Sequence, residues 1–232
     1  MTSYRRDTTG KAVMEAVGTA ILLFTIQVSV SLDASLAPLA IGAVLVSIVY
    51  AGGPVSGSHY NPAVSLAITL RGGGHMAPPM MCIYWVAQIL GGVIGGLIGG
   101  FVNSNYSIVG VGEDFTIIQA LTAEAIFAFI LCFVILAVAT NPKSADNHYY
   151  GLAIGLVVMA GAVSVGPISG GAFNPAVALG LSISNGFADF HYALAVSVVN
   201  LLGGVFAAGV FRLVIVEEYE SIPSAVTENV VL

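Results

Sequence analysis

Two short polar stretches interrupt an otherwise apolar chain, and both carry the same tripeptide: Asn61-Pro62-Ala63 and Asn174-Pro175-Ala176. Asparagine is a favourable N-cap, and proline is well suited to the first helical position because its missing N–H would have no partner there. Only a short apolar segment follows each tripeptide, about half as long as a helix needs to cross a hydrocarbon core of about 30 Å. We therefore predict two half-helices, 62–70 and 175–183, that begin deep inside a membrane.

Two half-helices that meet at their N-termini would exert an electrostatic effect on a solute that lies between them. Each N-terminus carries a partial positive charge of about +0.5, and each asparagine amide adds N–H donors. A water molecule there turns its oxygen toward the donors, which interrupts a chain of proton-conducting hydrogen bonds. The same field disfavours cations. The pair is predicted to be an electrostatic gate for a neutral polar solute.

The other residues that could do chemistry are few. Glu15 and Glu124 lie within apolar segments, where a carboxylate is costly and requires a structural or functional reason. The four histidines are scattered, and no metalloprotease, serine-hydrolase or phosphate-loop motif accompanies them. Cys82 and Cys132 have no Cys or His at ligand spacing. We expect no enzyme activity, metal site or cofactor.

The elements that must position these residues are membrane-spanning helices. Hydrophobic residues make up 57% of the 232 residues and charged residues only 8%, far below the roughly 25% of a soluble domain. Apolar segments long enough to span occur at residues 12–32, 36–52, 77–102, 117–140, 149–166 and 190–216. None of these segments alternates polar and apolar residues with period two, so a transmembrane β-barrel is disfavoured. The predicted fold is an all-α integral membrane protein with six transmembrane helices and two re-entrant half-helices.

The basic residues predict the orientation. With the N-terminus in the cytoplasm, all six Lys and Arg residues fall on the cytoplasmic side: Arg5, Arg6, Lys11, Arg71, Lys143 and Arg212. Both termini are then cytoplasmic, and residues 217–232 form a cytoplasmic acidic tail. The membrane could be the plasma membrane or an intracellular, vacuole-like one.

The chain repeats itself. Residues 39–42 return at 152–155 and residues 61–64 at 174–177, both with an offset of 113. We predict a single channel domain over residues 1–232 with a first repeat at 11–105 and a second at 117–215. Three spans per repeat require the two halves to be inverted relative to each other, an arrangement that places a site near the midplane.

The chain resembles the aquaporin, or major intrinsic protein, family. The resemblance covers residues 11–215 and rests on the two NPA boxes, six spans, Glu15, Glu124 and Gln88. It implies that Glu15 and Glu124 accept hydrogen bonds from the re-entrant loops. It also implies a vestibule position for His59, or plain loop packing there, and a homotetramer in which each subunit has its own pore.

The chain departs from the family's water-selective pattern at the constriction. The residue after the second NPA is Val177, where water-selective members usually have arginine; some plant vacuolar members are similar in having valine there. Ala178 stands where glycerol-conducting members usually have aspartate. The resemblance implies a selectivity filter at fixed positions relative to the two asparagines, which here are Ile41, Ala162, Gly171 and Val177 and include no charge and no aromatic ring. We expect a water channel that also passes small neutral solutes such as urea, ammonia, hydrogen peroxide and glycerol.

Two other functions fit parts of the pattern. A secondary transporter of a small solute can also have inverted repeats and broken helices. A junctional or structural protein could be built on a pore fold. Glycines at every fourth position of the third span (Gly92, Gly96 and Gly100, beside Gly91, Gly95 and Gly99) predict close helix packing within one chain, with a contact between subunits as the alternative.

Overall fold

The computed structural model describes the backbone of residues 2–215 and the side chains from Asp7 onward. The predicted acidic tail, 217–232, and the side chains of Arg5 and Arg6 lie outside the described residues. Within that part the chain forms α1 (Thr2–Leu32), α2 (Ala37–Ser56), α3 (Pro62–Arg71), α4 (Pro78–Asn103), α5 (Ile117–Ile135), α6 (Tyr150–Ser169), α7 (Pro175–Ser184) and α8 (Phe190–Val214). A π-helical turn, Leu136–Thr140, continues α5, and a 3₁₀ turn, Pro142–Ser144, follows.

Six of these helices are long and apolar enough to cross a membrane, and the two short ones, α3 and α7, follow the NPA boxes. The described residues contain no strand. The predicted all-α fold with six spans and two short re-entrant helices is confirmed. Each short helix has 10 residues and ends one position later than the sequence indicated.

α1 begins at Thr2 rather than at residue 12, and two other spans end three or four residues later than predicted. The sequence placed their ends at residues 52 and 166, but α2 and α6 continue to Ser56 and Ser169 through the internal prolines Pro54 and Pro167. A proline removes one backbone donor and kinks the helix without necessarily ending it. The helices end instead at Gly57 and Gly170, whose φ angles of 85° and 87° lie in the left-handed region that glycine adopts without strain.

The glycines of α4 pack against other helices of the same chain. A methyl group added at Gly91 or Gly95 would overlap the backbone carbonyl oxygens of Ala16 or Ala20 in α1. A methyl group at Gly92 would lie 2.8 Å from the carbonyl oxygen of Ala176 in α7. The prediction that this stripe serves packing within one chain is confirmed, and it allows α4 to contact a span on one side and a half-helix on the other.

Candidate functional site

Each NPA box begins a half-helix in the way its residues indicate. Asn61 and Asn174 have extended backbones, with φ of −155° and −156°, and each caps the helix that follows. The side-chain oxygen of Asn61 accepts a hydrogen bond from the backbone N–H of Ala63 over 2.8 Å. That of Asn174 accepts from the N–H of Ala176 over 2.9 Å. The prolines occupy the first helical position, where no donor is needed.

The two asparagines also join the boxes to each other. The Asn61 amide nitrogen donates to the backbone carbonyl of Phe173 over 2.9 Å. The Asn174 amide nitrogen donates to the carbonyl of Tyr60 over 2.8 Å. These reciprocal bonds hold the N-termini of α3 and α7 next to each other. They use one N–H of each amide, and each amide carries a second.

The loops that precede the boxes have strained backbones at matching positions. Ser58 and Tyr60 have φ angles of 52° and 49°, and Gly171 and Phe173 have 64° and 50°. Left-handed conformations are unfavourable for residues with a side chain and persist only where the surroundings hold them. In both loops the surroundings include a buried glutamate.

Glu15 of α1 is fully buried and accepts four hydrogen bonds. Its Oε1 accepts from the backbone N–H of His59 over 3.0 Å and from the Ser56 hydroxyl over 2.6 Å. Its Oε2 accepts from the N–H of Tyr60 over 2.7 Å and from the Gln88 amide over 2.8 Å. With both oxygens surrounded by donors, the carboxylate holds the first loop between α1, α2 and α4.

Glu124 of α5 is also fully buried and does the same for the second loop. Its Oε1 accepts from the backbone N–H of Ala172 over 2.9 Å and from the Ser169 hydroxyl over 2.8 Å. Its Oε2 accepts from the N–H of Phe173 over 2.8 Å. The Asn200 amide, oriented by its hydrogen-bond partners, donates to Oε2 over 3.2 Å and accepts from the N–H of Asn174 over 2.9 Å.

Sequence reasoning did not single out two further pairs in this scaffold. The hydroxyls of Ser56 and Ser169 donate hydrogen bonds to Glu15 and Glu124, respectively. The backbone carbonyls of the same serines accept hydrogen bonds from the hydroxyls of Tyr84 over 2.7 Å and Tyr192 over 3.0 Å. The offset of 113 relates the two serines and would have identified them. The tyrosines are 108 positions apart, so that a search at the offset of the repeat misses them.

Two cavities run from the NPA region toward opposite faces of the helix bundle. The one on the side of the α1–α2 connection, the outer cavity, has a volume of about 570 Å³. The one on the side of the α3–α4 connection, the inner cavity, has a volume of about 990 Å³. Both NPA asparagines and all four predicted filter residues, Ile41, Ala162, Gly171 and Val177, line the outer cavity. Among the described residues that line this cavity, none is Asp, Glu, Lys or Arg.

His59 lines both cavities. Its Nδ1 lies 3.0 Å from the Ser65 hydroxyl, and its ring contacts Tyr84 edge-on with centroids 5.2 Å apart. The Gln88 amide nitrogen donates to Ser65 as well as to Glu15, over 3.0 Å and 2.8 Å. The histidine is therefore held at the wall that the two cavities share.

Known proteins resemble this chain over most of its length. The family profile described as "Major intrinsic protein" matches residues 3–211 and 152–230. A "Probable aquaporin TIP-type" of Antirrhinum majus is 31% identical over 203 residues, covering 83% of this chain and 80% of the relative. "Aquaporin-8" of Mus musculus is 32% identical over 219 residues, covering 89% and 82%.

Among solved structures, the aquaglyceroporin from Plasmodium falciparum has the same fold. The two superpose with a TM-score of 0.75 at 22% sequence identity, over 87% of this chain and 94% of that one. The long match of the family profile and the identity to the relatives agree with the paired NPA boxes and the two buried glutamates. The chain belongs to the major intrinsic protein family.

Proposed function

We propose that this protein is a membrane channel for the passive flux of water and of small neutral solutes, among them urea, ammonia, hydrogen peroxide and glycerol. The observation that carries this proposal is a pair of half-helices whose N-termini are joined by reciprocal asparagine bonds, beside a cavity whose described lining residues carry no charge. The protein is a channel and not an enzyme. Water and small solutes are its partners, together with the lipid around it.

Ion exclusion belongs to the NPA boxes in this proposal. Two helix N-termini of partial positive charge oppose a cation at the point where they meet. The second N–H of each asparagine amide is available to a passing water oxygen. A water held by both donors directs its hydrogens away along the pore, so that proton transfer through the chain of waters is interrupted.

Ile41, Ala162, Gly171 and Val177 are proposed as a selectivity filter on the outer side of the NPA boxes. Their side chains are aliphatic or absent, so this ring offers no charge and no aromatic wall to a solute. A ring of this kind is wider and less polar than one containing arginine. That difference favours the passage of urea and glycerol beside water.

Further parts of the proposal concern the whole molecule. Residues 11–105 and 117–215 are taken as inverted repeats, with both termini in the cytoplasm, as the basic residues indicate. By family likeness the protein is a homotetramer with one pore per subunit. It resides in the plasma membrane or in an intracellular, vacuole-like membrane.

The test is stopped-flow light scattering on proteoliposomes, first with an osmotic step and then with urea and glycerol gradients. We expect rapid water flux with a low activation energy, accompanied by urea and glycerol entry that does not saturate. Saturation with a steep temperature dependence would favour the transporter alternative. Water flux no greater than that of empty liposomes would contradict the channel.

One variant tests the assignment of the filter. Val177→Arg introduces a long charged side chain into the ring, and we expect it to lower urea and glycerol permeability about tenfold, which corresponds to about 1.4 kcal/mol of added barrier. Water flux should fall less because water is smaller. Unchanged urea and glycerol permeability would show that position 177 does not set the width.

A further inference from the structure

The residues around the pore have counterparts at the offset of the repeat. The inner and outer cavities share six lining residues: Val49, Ser58, His59, Val64, Ile135 and Ile154. A shift of 113 positions relates these to six others: Ala162, Gly171, Ala172, Val177, Leu22 and Ile41. All six counterparts line the outer cavity, and four of them are the proposed filter. The pore therefore has two rings built from matching positions of the two halves.

We call Ile41, Ala162, Gly171 and Val177 the outer ring and Val49, Ser58, Val64 and Ile154 the inner ring. The inner ring lies where the two cavities meet, on the side of the NPA boxes that holds His59. The backbone is matched as well, because Ser58 and Gly171 both have positive φ angles, 52° and 64°. With similar backbones, the side chains decide which ring is narrower.

The comparison of side chains favours the inner ring as the narrower one. Two of its four positions match the outer ring in type, since Val64 corresponds to Val177 and Ile154 to Ile41. At residue 49 the inner side chain is larger, since valine replaces alanine. At residue 58 serine replaces glycine, and its hydroxyl is bonded to the α2 backbone. The difference in side-chain size is greater next to the ring, where the inner side has His59 and the outer side has Ala172 at the matching position.

The inner ring is also held rigidly. His59 is fixed by Ser65 at Nδ1 and by the edge of the Tyr84 ring, so that it cannot turn aside without breaking a 3.0 Å hydrogen bond. The Ser58 hydroxyl oxygen lies 3.2 Å from the Val49 carbonyl oxygen and 3.0 Å from the Tyr60 hydroxyl oxygen, so that its one proton is shared between these two acceptors. Val49 and Val64 are almost completely buried. These residues of the inner ring and His59 are therefore each bonded to, or packed into, the wall around them.

We propose that the inner ring, with His59 beside it, is the section of the pore that limits the passage of solutes larger than water. This inference rests on the proposed channel function and deepens it. The outer ring remains a filter, but the wider one of two in series. The narrower of the two filters then lies on the cytoplasmic side of the NPA boxes, in the proposed orientation.

Exchanging residues between the rings tests this. Val49→Ala together with Ser58→Gly gives the inner ring the side chains of the outer one. Glycine suits the positive φ of residue 58, and Tyr60 keeps its bond to the Ile48 carbonyl over 3.0 Å. The matched control, Ala162→Val, gives the outer ring the valine of the inner one. Val49→Ala alone serves if the double variant does not fold.

The expected results differ in size and direction. Opening the inner ring should raise glycerol permeability about tenfold, the scale of effect of a methylene group in a fitted site. Water permeability should rise less, because water is small enough to pass either ring. Ala162→Val should lower glycerol permeability by no more than about twofold, since two equal barriers in series only double the resistance.

The outcomes separate the two proposals. If the Val49→Ala/Ser58→Gly variant has wild-type water flux and an unchanged glycerol permeability, the inner ring does not limit solute passage, whereas the proposed channel function stands. A tenfold loss of glycerol permeability in Ala162→Val would also contradict the proposal that the inner ring is limiting, because the outer ring would then limit solute passage. If the Val49→Ala/Ser58→Gly variant conducts glycerol and the wild type does not, the result supports the inner ring as the limiting section. Conduction by neither protein would contradict both proposals.

Discussion

At the scale of single residues, two fully buried carboxylates hold the two re-entrant loops in conformations that the loops would not adopt alone. Glu15 and Glu124 each accept two backbone N–H groups, one from a residue in the left-handed conformation and one from the residue before it. Burying a charge in the membrane is costly unless donors compensate it. Here the compensation is the backbone of the pore itself, so charge satisfaction and pore shape depend on the same bonds.

Replacement of Glu124 by glutamine should show this dependence. Glutamine has one acceptor oxygen, so its NH₂ group must face the backbone N–H of Ala172 or of Phe173 and leave it without a partner. We expect a loss of about 1 to 3 kcal/mol in unfolding free energy, with reduced water flux. Thermal unfolding in detergent and stopped-flow measurements would test both effects.

Glu113→Gln is the matched control, because Glu113 is exposed in the α4–α5 connection. It should leave stability and flux unchanged. Equal stability of the Glu124→Gln and Glu113→Gln variants would show that the carboxylate does not hold the second loop.

At the scale of elements, the close approach of α4 to α1 depends on positions without a side chain. In lipid no hydrophobic force drives helices together, and small residues allow the backbones to pack. At Gly95 the space for a methyl group is already occupied by backbone atoms of Ala20, which cannot move aside as a side chain could. The sequence spacing indicated this face, and the structure identified its partners.

Gly95→Ala should therefore force α1 and α4 apart and destabilise the protein by about 1 to 3 kcal/mol, the usual cost of overpacking. Gly209→Ala in α8 is the control, since a methyl group there meets no heavy atom within 4 Å and alanine favours the helix. Thermal unfolding of the two variants side by side is the measurement. A Gly95→Ala variant as stable as Gly209→Ala would contradict the packing.

At the scale of the whole molecule, the orientation in the membrane can be tested by labelling. Ser35 lies in the α1–α2 connection and Ala145 between α5 and α6, and both are exposed. In a Cys82→Ser background, Ser35→Cys should react with an impermeant maleimide from outside the cell. Ala145→Cys should react only after permeabilisation, because the basic residues predict a cytoplasmic position.

Detergent-solubilised protein supplies the control for labelling, since both cysteines should react there. Cys132 is buried and should contribute little. Labelling of Ala145→Cys in intact cells, with Ser35→Cys protected, would reverse the proposed orientation. It would also exchange the faces on which the inner and outer cavities open.

Much of this architecture could be predicted from the sequence because it depends on local rules. Span lengths follow from apolar runs, and the starts of the half-helices follow from an asparagine cap followed by proline. The ends of α2 and α6 were predicted too early, since a helix can continue through Pro54 or Pro167 until a glycine adopts a left-handed conformation. Glu15 and Glu124 were conspicuous because a carboxylate is rare in a span.

By itself, the sequence determined six spans, two half-helices, the repeat and the residue types along the pore, because each depends on a few neighbouring positions. Only the tertiary structure decided that each NPA asparagine bonds the loop of the other half, across 112 and 114 positions of the chain. It alone revealed Asn200 beside Glu124 and the two cavities that meet at His59. These features depend on which helix faces contact each other, and that choice is made by packing between segments that are distant in the chain.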